Sequence, residues 1–206
     1  MGDEILPGVN YEWAVIAQAM IARKPGRYTV GVDLALRDVR SDDAGTLAHI
    51  LVTANLATFR GLVPEQCLTF TEAESAANWS RSLSAGLPPS AFMYLVEEGT
   101  HGRVIGYGWA GPTESDRTFR AELRQINLLP EYQRRGIGRL LVRKIARRLH
   151  DEQGIDSLRV EVLRCNPNRP FYERLAARFV CERPHDWDGV TLPMCLYGWP
   201  DTRVLL

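Results

Sequence analysis

The sequence lacks most of what would tie it to a metal, a disulfide framework or a membrane. Its four cysteines, at positions 67, 165, 181 and 195, form no C-x-x-C pair, which excludes a zinc ribbon and a thioredoxin-type centre. Cys181, His185 and Cys195 could be grouped as metal ligands. Their place in strand-like runs instead predicts that Cys181 and Cys195 are small core residues, and no metal is expected. Unpaired thiols fit a reducing compartment, so a cytoplasmic location is expected. Charge of one sign is also missing. With 25 basic and 25 acidic residues the formal net charge is zero, which argues against a general polyanion binder, and no nucleic acid is expected as a partner. The apolar stretch WAVIAQAMIA, Trp13 to Ala22, is too short to span a membrane. It follows Asp3 and Glu4 rather than a basic segment, so neither a signal peptide nor a membrane partner is expected. Repeats, low-complexity tracts and linkers are missing from residues 29–206.

What is present is an ordinary globular composition, 45% hydrophobic over 206 residues, enough for one domain with its own core. Residues 1–28 read as an N-terminal extension, with one short helix, and 29–206 as the domain. Val30, Val32, Leu34 and Leu36 alternate with small or polar residues and predict a strand. Ser41, Asp42 and Asp43 offer an N-cap for a helix carrying Leu47, Ile50, Leu51, Ala54 and Ala57. Thr71 and Glu74 form a T-x-x-E capping box for a second helix that stops at Gly86. A hairpin follows over Ser90–Gly111, with GTHG as its turn, then a turn over Pro112–Thr118 and a third strand over Phe119–Leu129. Beyond it come a helix closed near Gly154, a strand over Ser157–Leu163, a short helix within Asn166–Ala177, and two final strands. The order β, α, α, β, β, β, α, β, α, β, β predicts an α+β fold with mixed strand directions.

LLPEYQRRGIGRLL, Leu128 to Leu141, carries the sharpest signal. Gly136 and Gly138 allow backbone to approach a ligand closely. They open a helix, whose unpaired N–H groups and dipole attract an anion. Arg134, Arg135 and Arg139 add positive charge at the same end, whereas Arg143, Lys144, Arg147 and Arg148 fit a solvated face and Ile137 the core side. A P-loop needs Lys and a hydroxyl residue after its glycines, and a dinucleotide fingerprint needs a third glycine where Leu141 stands. Gln133-Arg134-Arg135-Gly136-Ile137-Gly138 fits a third phosphate motif, Q-x-x-G-x-G after a strand. With NPNRPFYERLAARF downstream and ANLATFRGLVPEQCL upstream, the chain resembles the GCN5-related N-acetyltransferase (GNAT) superfamily over roughly residues 29–200.

That resemblance implies a central mixed, mostly antiparallel sheet flanked by helices, with a splayed parallel strand pair forming an acyl-CoA cleft. It implies acetyl-CoA as co-substrate and an amine acceptor. Leu128 and Leu129 would line the pantetheine arm, with the Leu128 N–H polarising the thioester carbonyl. Gln133 through Arg139 would hold the pyrophosphate, and Asn166 would bond the pantetheine or its pyrophosphate end. Glu122, fourteen positions before Gly136, would be the general base, directly or through water. Arg120 and Arg124 are its expected rivals for a structural ion pair. Tyr172 would protonate the leaving thiolate, with Phe171 the better core member of the pair. The glycine usual in the family after F-Y-x-x-L is Ala176 here, and Cys165 admits an acyl-cysteine route.

An N-acetyltransferase, a non-catalytic acyl-CoA-binding module and a longer-chain acyl transferase all stay open at this point. Asp42, Asp43, Glu65, Glu72, Glu74, Asp186 and Asp188 are the acidic residues that could draw in a cationic amine. Trp79, Trp109, Trp187 and Trp199 could line its pocket. By analogy with the family a homodimer through the terminal strands is expected.

Overall fold

The structure, a computed structural model, describes residues 34–99, 102–113 and 118–206. The extension over 1–28, Val30 and Val32 of the first strand, the centre of the GTHG turn and residues 114–117 lie outside the described residues. The elements follow the expected order. They are β1 (Leu34–Asp38), α1 (Ala44–Phe59), α2 (Glu72–Ala85), β2 (Phe92–Glu98), β3 (Arg103–Pro112), β4 (Ala121–Leu128), α3 (Ile137–Gln153), β5 (Leu158–Leu163), α4 (Pro170–Arg174), β6 (Arg178–Trp187) and β7 (Val190–Trp199). They build one seven-stranded sheet in the order β1-β2-β3-β4-β5-β7-β6. All neighbours are antiparallel except β4 and β5. That is the α+β mixed sheet expected from the sequence, and the parallel pair sits where α3 crosses between strands.

The sheet has two covered faces. α3 lies on one, burying Leu141, Ile145 and Leu149. A Cβ on Gly108 would stand 2.9 Å from Ile145 Cδ1, so this glycine lets the helix approach the sheet. α1 and α2 cover the other face, where Trp79 of α2 meets the rings of Tyr107 and Trp109 edge-on. The buried side of α1 runs through Leu47, Ile50, Ala54, Asn55 and Phe59, while Ala57 is exposed. Thr71 and Glu74 close the capping box of α2 with bonds of 3.2 and 2.9 Å.

Other expectations need correction. The Asp43 carboxylate does not cap α1; it accepts from the Arg40 N–H at 2.6 Å and from both terminal nitrogens of Arg37 at 2.7 Å. Arg148 is not simply solvated. Its guanidinium stacks 4.4 Å from the Phe92 ring centre and pairs with Asp38, tying α3 to β1 and β2. Cys181 is exposed rather than core, because β6 is the edge strand and shows most of its residues to solvent.

Burial opposes the charge on Asp43, but Arg37 and the Arg40 N–H outweigh it and hold the carboxyl below its ordinary value. A lowered native pKa stabilises the fold above the ordinary carboxylate range, and the contribution is lost as pH falls through the native value. Asp43→Asn is therefore expected to cost about 2 kcal/mol at neutral pH. In urea unfolding, its deficit against wild type should narrow steadily below about pH 4.

Candidate functional site

The site begins with a pairing that stops. β4 and β5 are registered only at Ala121 with Leu158 and Glu122 with Arg159, although both strands run on past these pairs. The Leu129 N–H donates to Ile105 O, so Leu129 and Asn127 bond toward β3. By the alternation of an antiparallel ladder, the N–H groups of Ile126 and Leu128 then turn the other way, into the gap left by β5. A bulge at Arg124, marked by the register shift against Trp109 and Ala110, changes the phase of the strand and sets this orientation. The sequence reading singled out Leu128 and missed Ile126, because a bulge leaves no mark in an apolar alternation.

The loop after β4 is held from behind. Pro130–Tyr132 form one turn of 3-10 helix, and the Gln133 side-chain amide donates to Leu128 O at 3.2 Å. Gln133 thus closes the loop onto the strand end. Tyr132 is buried, donates its hydroxyl to Glu98 and lies under the guanidinium of Arg135, 5.2 Å from its ring centre. It is an anchor that the sequence reading did not mark. Arg134 takes a left-handed conformation at φ 60°, and Gly136 follows at φ 85° as the N-cap of α3. No side chain among the described residues caps this helix. A Cβ on Gly136 would meet nothing within 4 Å, so the space before the helix N-terminus is open. Arg134, Arg135 and Arg139 are exposed around it, and none is paired with a carboxylate among the described residues. Ile137 and Gly138 are buried behind them. An uncapped helix start ringed by three guanidinium groups that face no carboxylate among the described residues is suited to a multiply charged anion.

Tyr172 is fully buried against Tyr197 and Trp199, and its hydroxyl has no hydrogen-bond partner among the described residues. Burial pushes its pKa well above the ordinary tyrosine value, so the hydroxyl keeps its proton at neutral pH. Tyr172, not Phe171, is the more deeply buried of the two. Asn166 lies just beyond β5. Its side-chain oxygen accepts from the Asn168 N–H at 2.8 Å and shapes the turn into α4. Ala176 takes the left-handed conformation, φ 65°, that a glycine there would supply without strain.

Glu122 stands at the foot of the gap, on the face covered by α1 and α2. Its expected rivals are elsewhere: Arg120 donates to Gly154 O at 2.9 Å and Arg124 to Pro112 O at 3.0 Å. The partner is Arg159 on β5, which bonds Glu122 Oε2 at 2.8 and 3.2 Å. Glu161, two residues along β5 and more deeply buried than Glu122, pairs with Arg183 of β6. Reading along one strand could not reveal these partners, since they arrive from β5 and β6. Of the suggested acceptor residues, Asp43 is occupied by Arg37 and Trp199 donates to Leu175 O at 2.7 Å. Trp187 packs with Phe59 in a second apolar cluster. Trp109 has an indole N–H without a partner among the described residues.

Among the described residues no cluster of His, Cys, Asp and Glu could hold a metal ion, and no helix is long and apolar enough to cross a membrane. The pattern of the acetyltransferase (GNAT) family matches residues 58–177. The uncharacterized N-acetyltransferase YuaI of Bacillus subtilis (strain 168) is 30% identical over 175 residues, covering 84% of this chain and 96% of YuaI. A GNAT-family protein of Desulfovibrio desulfuricans superposes with a TM-score of 0.62 at 20% identity, over 81% of this chain and 98% of that one. YncA of Salmonella typhimurium, solved with its cofactor acetyl-CoA, gives 0.58 at 18% identity, over 81% and 93%. At such identities these structures bear on the fold alone, but the family pattern spans more than half of the chain, and YuaI matches 84% of it. The strand gap, the uncapped helix and the sequence relationship lead to one conclusion: the protein belongs to the GNAT acetyltransferase family.

Proposed function

We propose that the protein is an N-acetyltransferase that moves the acetyl group of acetyl-CoA to an amine by direct attack while both substrates are bound. The observation that carries this reading is an unpaired strand edge, Ile126 to Leu128, running into an uncapped helix start ringed by arginines. A thioester arm and a pyrophosphate need these two features in this order. Arg134, Arg135, Arg139 and the first N–H groups of α3 would neutralise the pyrophosphate, while the strand edge would hydrogen-bond the pantetheine. The Leu128 N–H is a fixed dipole for the carbonyl oxygen as it gains negative charge. The unpartnered Tyr172 hydroxyl would give its proton to the departing sulfur.

An alkylamine with pKa near 10.4 is almost wholly protonated at pH 7, and freeing its lone pair costs about 4.6 kcal/mol there. Glu122 is the group we assign to take that proton, directly or through water. Both of its bonds to Arg159 land on Oε2, which leaves Oε1 to act. Burial of its sulfur raises the Cys165 thiol pKa, so it is protonated at neutral pH and a poor nucleophile, which supports direct transfer. We place the protein in the cytoplasm, on its four free thiols, and read the exposed Phe179 and Val180 of edge strand β6 as the contact of a homodimer.

Three measurements test this reading. In calorimetric titration, acetyl-CoA should bind wild type and fail to bind Gly136→Val, whose circular dichroism stays native. Equal binding by the variant would remove the loop from the site, and preference for a long-chain acyl-CoA would redirect it to another acyl transfer. Glu122→Gln should keep its acetyl-CoA affinity while turnover drops about 100-fold, most at low pH. A loss of melting temperature without loss of turnover would leave Glu122 a structural partner of Arg159. Tyr172→Phe removes an unpaired buried hydroxyl, so the ligand-free variant should gain about 1 kcal/mol in urea unfolding as its turnover falls. A destabilised variant would mean that the hydroxyl has a structural partner.

A further inference from the structure

Three polar side chains lie together under α1 and α2, on a buried face of the sheet. Tyr107 of β3 and Gln125 and Asn127 of β4 are all buried. Asn127 stands across from Tyr107, and Gln125 is two residues from Asn127, so the three side chains share one face. The Asn127 side-chain nitrogen donates to the Tyr107 hydroxyl at 3.0 Å, and that hydroxyl donates to Gln125 Oε1 at 2.6 Å. Burial raises the pKa of Tyr107 above its ordinary value, which keeps the donated proton on the hydroxyl. Asn127 Oδ1 has no partner among the described residues, so the trio carries a cost in stability that apolar residues would not. The other face of the same stretch is apolar. Ile126 stands across from Gly108, and Leu128 fills the space that a Cβ on Gly106 would take.

These residues follow the bulge at Arg124, and a strand without that bulge would run in a second phase. Leu123 would still stand across from Ala110, but Ile126 would come opposite Tyr107. Gln125 and Asn127 would turn under α3, where Leu141 and Ile145 have no polar atom to give them. The Tyr107 hydroxyl would lose both of its partners. The Leu128 peptide groups would turn as well. The N–H would leave the gap for β3, and the carbonyl would leave the Gln133 amide that closes the loop. We propose that Tyr107, Gln125 and Asn127 are positioning residues, whose hydrogen bonds hold β4 in its bulged phase and so hold the Leu128 N–H in the gap at a fixed spacing from the start of α3. The inference rests on the acetyl-CoA reading above and deepens it. Buried polar groups select one register among apolar alternatives, because only one register satisfies them. The three act through Leu128 and need not touch the ligand.

The test uses the whole chain with acetyl-CoA as probe. A triple variant, Tyr107→Phe with Gln125→Leu and Asn127→Val, removes the polar groups and keeps the face filled. NMR of the ligand-free protein reads the register. In the bulged phase the close Hα contact of Gly108 is with Ile126, and in the second phase it is with position 125. The triple variant should show both contacts, unfold in urea no earlier than wild type, and bind acetyl-CoA at least tenfold more weakly in calorimetry. Gln125→Glu keeps an acceptor for the Tyr107 hydroxyl, so it should keep the Ile126 contact alone and an affinity within twofold of wild type. A triple variant with the Ile126 contact alone would overturn the inference, whatever its affinity. Mixed contacts with undiminished affinity would overturn it too, and so would early unfolding, which would make the trio a support of stability. Failure of wild type to bind acetyl-CoA would overturn the transfer reading itself, while the Hα contacts would still report whether the trio sets the phase of β4.

Discussion

β4 and β5 lie side by side as parallel strands for two residue pairs and then separate, although both continue. A backbone N–H that loses its strand partner must find another or bear the cost of burial alone. Separation therefore exposes a row of directed donors in the middle of a sheet, where side chains on both faces would otherwise close it. The other elements support this gap. The bulge at Arg124 turns the donors toward it, Gln133 fastens the loop that leaves it, and α3 starts at its mouth. The antiparallel strands β6 and β7 then complete the sheet on the far side, so the gap is a groove and not an edge.

The positive charge of the site is equally a matter of position. The chain as a whole is neutral, and several of its arginines face carboxylates: Arg37 with Asp43, Arg148 with Asp38, Arg159 with Glu122 and Arg183 with Glu161. The three at the start of α3 are clustered, and none of them faces a carboxylate among the described residues. Local field follows from the pairing, which is why a zero net charge gave no warning against an anion site.

Much of this was legible in the linear sequence, for reasons that can be stated. Strand and helix order follow from hydrophobic period, and the Thr71–Glu74 box and Gly154 stop are local chemistry within a few residues. The loop before α3 was legible as a motif because its glycines and arginines are adjacent in the chain, and Gly136 takes the left-handed conformation that a glycine adopts without strain. Legibility failed wherever the deciding neighbour came from elsewhere in the chain. The Glu122 carboxylate was assigned rivals two residues away on its own strand, and its partner came from β5. Asp43 was read as a helix cap because it precedes α1, while Arg37 on β1 had already drawn it back. Cys181 was placed in the core because its run is apolar, but β6 is last in the sheet and has no neighbour on one side.

The sequence by itself determined the kinds of element, their order, the fold class and the glycine- and arginine-rich loop before α3, because each depends on side chains within one or two turns of each other. The tertiary structure alone decided which backbone groups face the gap, which arginines face no carboxylate among the described residues, and that Tyr172, Asn55 and Asn127 are buried with an oxygen that has no partner among those residues. Those outcomes depend on where β5, α1 and α4 come to rest. Hydrogen bonding is short-ranged and directional, so partners brought together only by folding cannot be read from their spacing in the chain.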